Sequence, residues 1–348
     1  MTRVTKHRLI RFTIAGFLVL VLVAGALSGW VVHQLKRPYS GWTGDHVDIV
    51  LESGISANAM LRRLAEAGVL ERPRIARAYL SWTRTGAQLH AGEYRFDEPA
   101  GVLDVLRRLR DGDVLLHEVT IPEGLDLQQV AETIAAAGFV DRPTLLAEFA
   151  RTEPIAGLDP DATDLEGYLF PDTYRFSRDT PAAAIAERMV RQFIQAVGED
   201  YAERARAVGL TAREAVTLAS LIEEETSVPD ERQRISAVFH NRLERRVALQ
   251  CDPTVLYALK REGNPVKKLY TKHLRFDSPY NTYRYPGLPP GPIANPGRAS
   301  LLAAVDPIES REMYFVALPG RGGHAFSETL EEHNRAVARW RAYLRSSR

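Results

Sequence analysis

The sequence has a single cysteine, Cys251, so no intrachain disulfide can form. A chain exported to an oxidising compartment must then draw its stability from an apolar core. No HExxH or HxxEH pattern occurs. His240, His273, His324 and His333 stand too far apart to suggest a ligand cluster, so neither a metal nor another cofactor is expected. Neither sign of charge dominates: 45 Lys and Arg offset 44 Asp and Glu, a net of +1, which argues against nucleic acid as a partner. Apolar residues make up 45% and charged residues 26%, ordinary globular fractions that exclude wholesale disorder.

Two local absences say more. The first 11 residues contain Arg3, Lys6, Arg8 and Arg11 but no acid. Between Arg11 and Lys36 there is no Lys, Arg, Asp or Glu at all. The run from Phe12 to Val32 is long enough to cross a hydrocarbon layer of about 30 Å as a helix. Its basic flank stays in the cytoplasm, which sends the remainder outside. Ala24-Gly25-Ala26 resembles a signal-peptidase site, but the apolar run continues through Trp30, Val31 and Val32, which favours an anchor.

Beyond a Pro- and Gly-containing segment, 34–46, one pattern occurs twice. The first copy begins at Val47 and the second at His117. Gly54 matches Gly124, Gly68 matches Gly138, and Arg72-Pro73 matches Arg142-Pro143, all at one offset. Each copy reads as an alternating strand, a Gly turn, a helix capped by Gly68 or Gly138, and a second helix opened by Pro73 or Pro143. The first copy closes on "EYRF" and the second on "TYRF". About ten additional residues enter the second copy within 153–172, where a scaffold commonly gains function through a loop. Tyr168, Phe170 and Tyr174 beside Glu166 and Asp172 suggest a site wall there. The order β-α-α-β resembles a LysM-type glycan-binding module. From Pro181 onward the pattern is helical, ending in two short strands and a last helix from Thr329, so the class is α+β.

The stretch "LASLIEEETS", Leu218 to Ser227, places three glutamates at the end of a helix that Thr211 and Glu214 open as a capping box. With Ala215 at zero and about 100° per residue, the apolar stripe centres near about 320°. Glu224 then falls near about 180°, Glu223 near about 80°, and Glu225 near about 280°, inside the stripe. Burial and the negative helix end both raise a carboxyl pKa, which suits a general acid for a glycosidic oxygen. Glu223 and Glu224 read as solvated neighbours. Pairing of Glu225 with one of the many arginines would make it structural instead.

Six motifs together resemble the YceG-like (MltG) family of endolytic murein transglycosylases: "LEGYLFPDTY", "ASLIEEET", "VFHNRL", "LQCDPTVLYAL", "YNTYRYPGLPPGPIANPG" and "YFVALPGRGGHAFSETLEEHN". The resemblance spans nearly the whole chain. It implies a cytoplasmic tail (1–11), an inner-membrane helix (12–33), a linker (34–46), a LysM-like βααβ subdomain (47–116) and a mixed α+β catalytic domain (117–345). It implies cleavage of the β-1,4 bond between N-acetylmuramic acid and N-acetylglucosamine in nascent peptidoglycan strands, with peptidoglycan synthases as partners. The family's catalytic Glu precedes the Thr of an E-x-E-T pattern, here Glu225. Glu224 stands where a Lys is frequent and Cys251 where Thr is frequent, and neither departure is expected to touch the acid. Cys251 itself reads as a small buried hydrophobe. Asn281, Tyr283 and Tyr280 are candidate contacts to N-acetyl and hydroxyl groups, and Tyr168 and Tyr174 candidate sugar platforms. Gln250 and Asp252 are candidates for orienting the acid, with loop stabilisation the alternative for each. If water were the nucleophile, Glu166, Asp172 or Asp252 would be the second acid. The rival function is a membrane-anchored, non-catalytic glycan scaffold.

Overall fold

A computed structural model describes residues 3–320 and 322–346. Of the basic segment 1–11, residues 1 and 2 lie outside the described residues, as does Arg321 of the last motif. The fold is mixed α+β and divides into two compact units: residues 1–117 with 177–179, and 118–176 with 180–348.

In the first unit, α1 (Arg3–Lys36) leads to β1 (Val47–Leu51), α2 (Ala57–Glu66), α3 (Pro73–Thr83), β2 (Gly92–Phe96) and α4 (Val102–Asp111). Strands β1 and β2 are antiparallel, with Ile49 opposite Tyr94 and Leu51 opposite Gly92. Their inward residues Ile49, Leu51, Tyr94 and Phe96 meet Leu61, Leu64, Val105 and Leu109 in one core. This is the expected strand-helix-helix-strand order. Ser56 caps α2 through the Ala59 N–H, and Gly68 ends it at φ +79°. A Cβ at Gly68 would lie 2.6 Å from the Gly41 backbone, so the position needs glycine for space as well as for its dihedral.

The stretch from Phe12 to Lys36 lies within one unbroken helix, and Gly16–Lys36 has the length and hydropathy to cross a membrane. The segment read as a linker, 34–46, is mostly exposed but is held to the first unit at several points. The helix runs on to Lys36, Leu35 is buried in the first unit's core, and Tyr39 forms a bridge to Ala100. Gly41 lies close against the first unit, its N–H donating to Gly68 O at 2.8 Å.

The second unit begins within β3 (His117–Thr120) and continues with α5 (Leu127–Ala136), α6 (Arg142–Phe149) and β4 (Thr173–Phe176), the second copy of the pattern. Strands β3 and β4 pair. The inserted stretch is not a site wall around the three aromatics. Ile155, Leu165, Tyr168, Leu169 and Phe170 are all buried in the main core. Helices α7 (Ala182–Val197), α8 (Tyr201–Ala207), α9 (Ala212–Glu225), α10 (Arg232–Glu244), α11 (Asp252–Arg261) and α12 (Arg298–Val305) follow, then the antiparallel hairpin β5 (Tyr314–Ala317) and β6 (His324–Ser327), and α13 (Leu330–Ser346).

Helix α9 starts as expected: the Thr211 hydroxyl accepts from the Glu214 N–H and the Glu214 carboxylate accepts from the Thr211 N–H. It is more enclosed than a one-sided stripe, since every residue from Ala215 to Ile222 is buried. Val216, Leu218, Leu221 and Ile222 each gain about 2 kcal/mol from that burial. The polar residues within it are satisfied, with Ser220 Oγ donating to Thr217 O and accepting from the Ile293 N–H. The C-terminal turn of α9 is thereby held in a fixed place.

Candidate active site

Glu225 is the last residue of α9; Thr226 turns extended at φ −148°, ψ 135°. The Thr226 hydroxyl accepts from the Val228 N–H and donates to Glu231 Oε2. Glu231 in turn accepts from the His324 backbone N–H (2.7 Å) and pairs with its Nδ1 (2.8 Å), which ties β6 to the end of α9. Burial pushes the Glu231 carboxyl up, but the His324 hydrogen bonds outweigh it and leave the pKa below its usual value.

Glu225 opens into a groove of about 340 Å³. Arg242, Leu249, Gln250, Asp252 and Tyr283 line one part; Phe315, Val316, Ala317, His324, His333, Val337, Trp340 and Arg341 line the rest. Burial raises the Glu225 pKa to about 7, Asp252 and Glu224 add to it, and a hydrogen bond from Cys251 and the charge of Arg242 oppose it. A carboxyl poised there holds a proton on about half of the molecules at neutral pH and can both give and take it. Arg242 does not pair with Glu225. It is 7% exposed and donates to Met313 O, Ala248 O and Leu249 O.

The other candidates separate into three groups. Gln250, Asp252 and Tyr283 share the groove with Glu225. Tyr283 donates to Asp252 Oδ1 at 2.6 Å, and burial together with that bond raises its pKa, so the phenol stays protonated. Gln250 has φ +54°, and its N–H donates to Thr282 O.

Glu166 lies elsewhere, on a cavity of about 390 Å³ with Asp126, Tyr257 and Lys260. Its carboxyl accepts from the Leu127 N–H, Asn295 Nδ2 and the Tyr257 hydroxyl. Burial and the neighbouring Asp126 push its pKa well up. Tyr280 packs on Tyr257 with ring centroids 5.1 Å apart.

The remaining three are structural. Tyr168 is buried, donates to Asp159 Oδ2 and meets Phe193 edge-on. Tyr174 is buried, donates to Phe170 O and stacks on Phe176. Neither presents a face to a sugar. Asn281 is 0% exposed; its Nδ2 donates to Leu274 O and Phe276 O and its Oδ1 accepts from the Tyr283 N–H, so the amide shapes the loop that carries Tyr283.

One of the three glutamates differs from expectation. Glu223 is not solvated: its side chain is 7% exposed, faces Arg232 at 3.4 Å and accepts from the Gly297 N–H. Arg232 offers a charge partner there that the helical phase alone does not reveal. Glu224 does reach solvent, yet partial burial followed by the charges of Glu223 and Asp126 raises it to about 7. Cys251 is buried as expected but does touch the acid, through its hydrogen bond to Glu225. Burial and the Glu225 charge keep the thiol protonated, so it donates.

In sequence His333 reads only as one of four scattered histidines, not as a site residue. Its ring stacks on Tyr314, and its Nδ1 is buried without a hydrogen-bond partner, alone in this among the side chains of the described residues. Burial and then the Arg242 charge lower its pKa, so the ring is neutral at pH 7. Both His324 and His333 sit in the motif after Tyr314, whose hydrophobic-polar pattern carries no sign that the hairpin and α13 fold over the end of α9.

A sequence profile of the YceG-like family matches residues 49–339, which takes in most of both units and all of this groove's lining except Trp340 and Arg341. The chain belongs to the YceG-like family. Among its relatives is a protein of Bacillus subtilis named endolytic murein transglycosylase, 32% identical over 88% of each chain. A protein of Streptococcus pneumoniae with the same name is 27% identical over 92% of this chain and 63% of its own length. The crystal structure of a yceG-like protein from Listeria monocytogenes superposes with a TM-score of 0.56 at 32% identity, covering 84% of this chain and 99% of that one. For this YceG-like chain the fold and the family are thus established together.

Proposed function

We propose that the chain is a peptidoglycan lytic transglycosylase that cuts within glycan strands, with Glu225 as its acid and base. The observation that carries the reading is a carboxyl with a pKa near 7 at the head of a sugar-sized groove. The names of the relatives supply the substrate. Glu225 gives its proton to the oxygen linking N-acetylmuramic acid C1 to N-acetylglucosamine C4, and the C1–O bond breaks. The carboxylate then takes the proton of the C6 hydroxyl of the same muramic residue, whose oxygen closes on C1. The products are a 1,6-anhydro-muramic end and a free C4 hydroxyl. One carboxyl suffices because the nucleophile is internal to the sugar. Tyr283 and Asp252 orient the sugar beside Glu225. With α1 spanning the inner membrane and its basic end cytoplasmic, the groove works in the periplasm on nascent strands and terminates their elongation.

One observation favours a second reading. Asp252 lines the same groove, while Glu166 lies on another cavity and Asp172 accepts from Gln192. Asp252 could therefore activate water. Mass spectrometry of uncrosslinked strands after incubation with the full chain in detergent separates the readings. Anhydro-muramic ends are expected; reducing ends would transfer the reaction to hydrolysis, and uncut strands would leave a scaffold.

The groove also predicts opposite pH shifts. Activity that needs protonated Glu225 declines as pH rises through about 7. Glu224→Lys removes a charge that raises this pKa, so the alkaline limb moves to lower pH; Cys251→Ala removes a bond that lowers it, so the limb moves up, each on the order of half a unit. Limbs that stay put or shift together would take Glu225 out of the titration.

A further inference from the structure

We propose that the outer face of α3 is a membrane-contact surface, seated in the headgroup and upper acyl region of the bilayer that α1 crosses. The inference rests on reading α1 as a membrane span.

Within the first unit, α1 and α3 enclose an apolar groove of about 690 Å³, walled by Leu27 to Lys36 on one side and Arg74 to Trp82 on the other. Helix α3 carries two apolar stripes. Ala76 and Leu80 are buried in the core of the unit. Ile75, Ala78, Tyr79 and Trp82, spaced i, i+3, i+4 and i+7, line the groove instead. Trp82 is 82% exposed, with the Tyr79 ring 6.5 Å away. Tyr and Trp with an apolar body and a polar tip are the residues that settle at membrane interfaces. Arg74 and Arg77 on the same helix are exposed and form no ion pair among the described residues. Arg74, which borders the groove, is placed to meet lipid phosphates.

Helix geometry fixes the depth. At 1.5 Å per residue, Gly16–Lys36 spans roughly 32 Å, about the hydrocarbon thickness, with Lys36 at the far boundary. Leu27 then lies about 14 Å inside that boundary. If the span is Phe12 to Val32 instead, Leu27 is still about 8 Å inside. Because Leu27 to Lys36 form one wall of the groove, the α3 wall cannot stand clear of the bilayer while α1 spans it. Interfacial helices sit at comparable depth, roughly 5–10 Å into the headgroup and acyl boundary.

The four tryptophans, Trp30, Trp42, Trp82 and Trp340, make the test direct. Two full-length chains are prepared, one retaining only Trp30 and one only Trp82, with Phe at the other three positions. Each is placed in protein-free nanodiscs of phosphatidylglycerol and phosphatidylcholine, with acyl chains brominated near the carbonyl end or unmodified. Trp82 emission is expected to fall by about two-fold or more with brominated lipid and to shift to the blue, as for a side chain in the interface. Quenching of Trp30 without Trp82 would overturn the proposal and leave the anchor intact. That is also the outcome if the groove is kept for another protein's helix. Quenching of neither would remove the anchor and the proposal together. Should Trp42→Phe disturb the core it packs against, the difference between the parent chain and Trp82→Phe gives the same readout.

Discussion

Glu225→Gln is expected to lower strand cleavage by about a thousand-fold while leaving the fold intact. The amide keeps the volume and a hydrogen-bond acceptor for Cys251 but cannot transfer the proton. The residual activity is read from the amount of new strand ends per enzyme. A loss of less than about ten-fold would be too small for the only proton donor to the leaving oxygen and would sink the assignment. Stability should move the other way. A carboxyl held at about 7, against a reference value of 4.5, takes up a proton on folding between those two values. The parent's stability therefore declines from pH 4.5 to pH 7, and above that the parent carries the whole cost of a charged, buried carboxylate. Glu225→Gln removes that cost, so at pH 8 it should unfold at higher denaturant than the parent, by at most about 3 kcal/mol. At pH 4 the difference should vanish. A Glu225→Gln chain that is less stable than the parent at both pH values would mark the carboxylate as a structural ion.

Arg242→Ala is expected to cause the largest loss of stability, about 3–5 kcal/mol in the second unit. The side chain is 7% exposed, and its fork serves three carbonyls from two segments, Met313 at 2.7 Å, Leu249 at 2.8 Å and Ala248 at 3.1 Å. Its guanidinium also lies over the Tyr314 ring at 5.1 Å. Truncation leaves those acceptors buried without donors and opens a void between α10 and β5. Arg242→Lys keeps the charge but offers no planar fork, so it should recover only a minor share of the loss. Denaturant midpoints of the parent and both variants provide the measurement. A difference below about 1 kcal/mol for Arg242→Ala would mean that water takes over the three carbonyls.

Much of this architecture is legible in the sequence, and the reason differs by feature. The doubled strand-helix-helix-strand pattern is local: turns at Gly54 and Gly124, the glycines Gly68 and Gly138 at φ +79° and +81°, and alternating strands all act over a few residues. The phase that sets Glu225 on the same side of α9 as Leu218 and Leu221 is also local, because it needs no tertiary information, whereas the polar lining of its groove comes from distant segments. Partnerships across long sequence separations are what stayed hidden. Tyr168 and Tyr174 have the composition of a sugar platform, and only packing on Phe193 and Phe176 shows them as core. Asn281 has the chemistry to hold an N-acetyl group, but the carbonyls of Leu274 and Phe276 claim its amide. Cys251 meets Glu225 only once α10 has folded between them. Glu223 looks as solvated as Glu224 on a helical wheel until Arg232 and the Gly297 N–H are placed against it.

The unbroken passage of α1 into the first unit's core, through buried Leu35, has a mechanical consequence. A disordered tether of ten residues would let its cargo wander by roughly 18 Å in any direction. A helix clamped by Leu35 and by the Tyr39–Ala100 bridge permits no such wandering. With α1 across a bilayer, as proposed above, the first unit would keep one height relative to the lipid plane and travel only sideways with its stem, like a buoy on a rigid mast rather than on a chain.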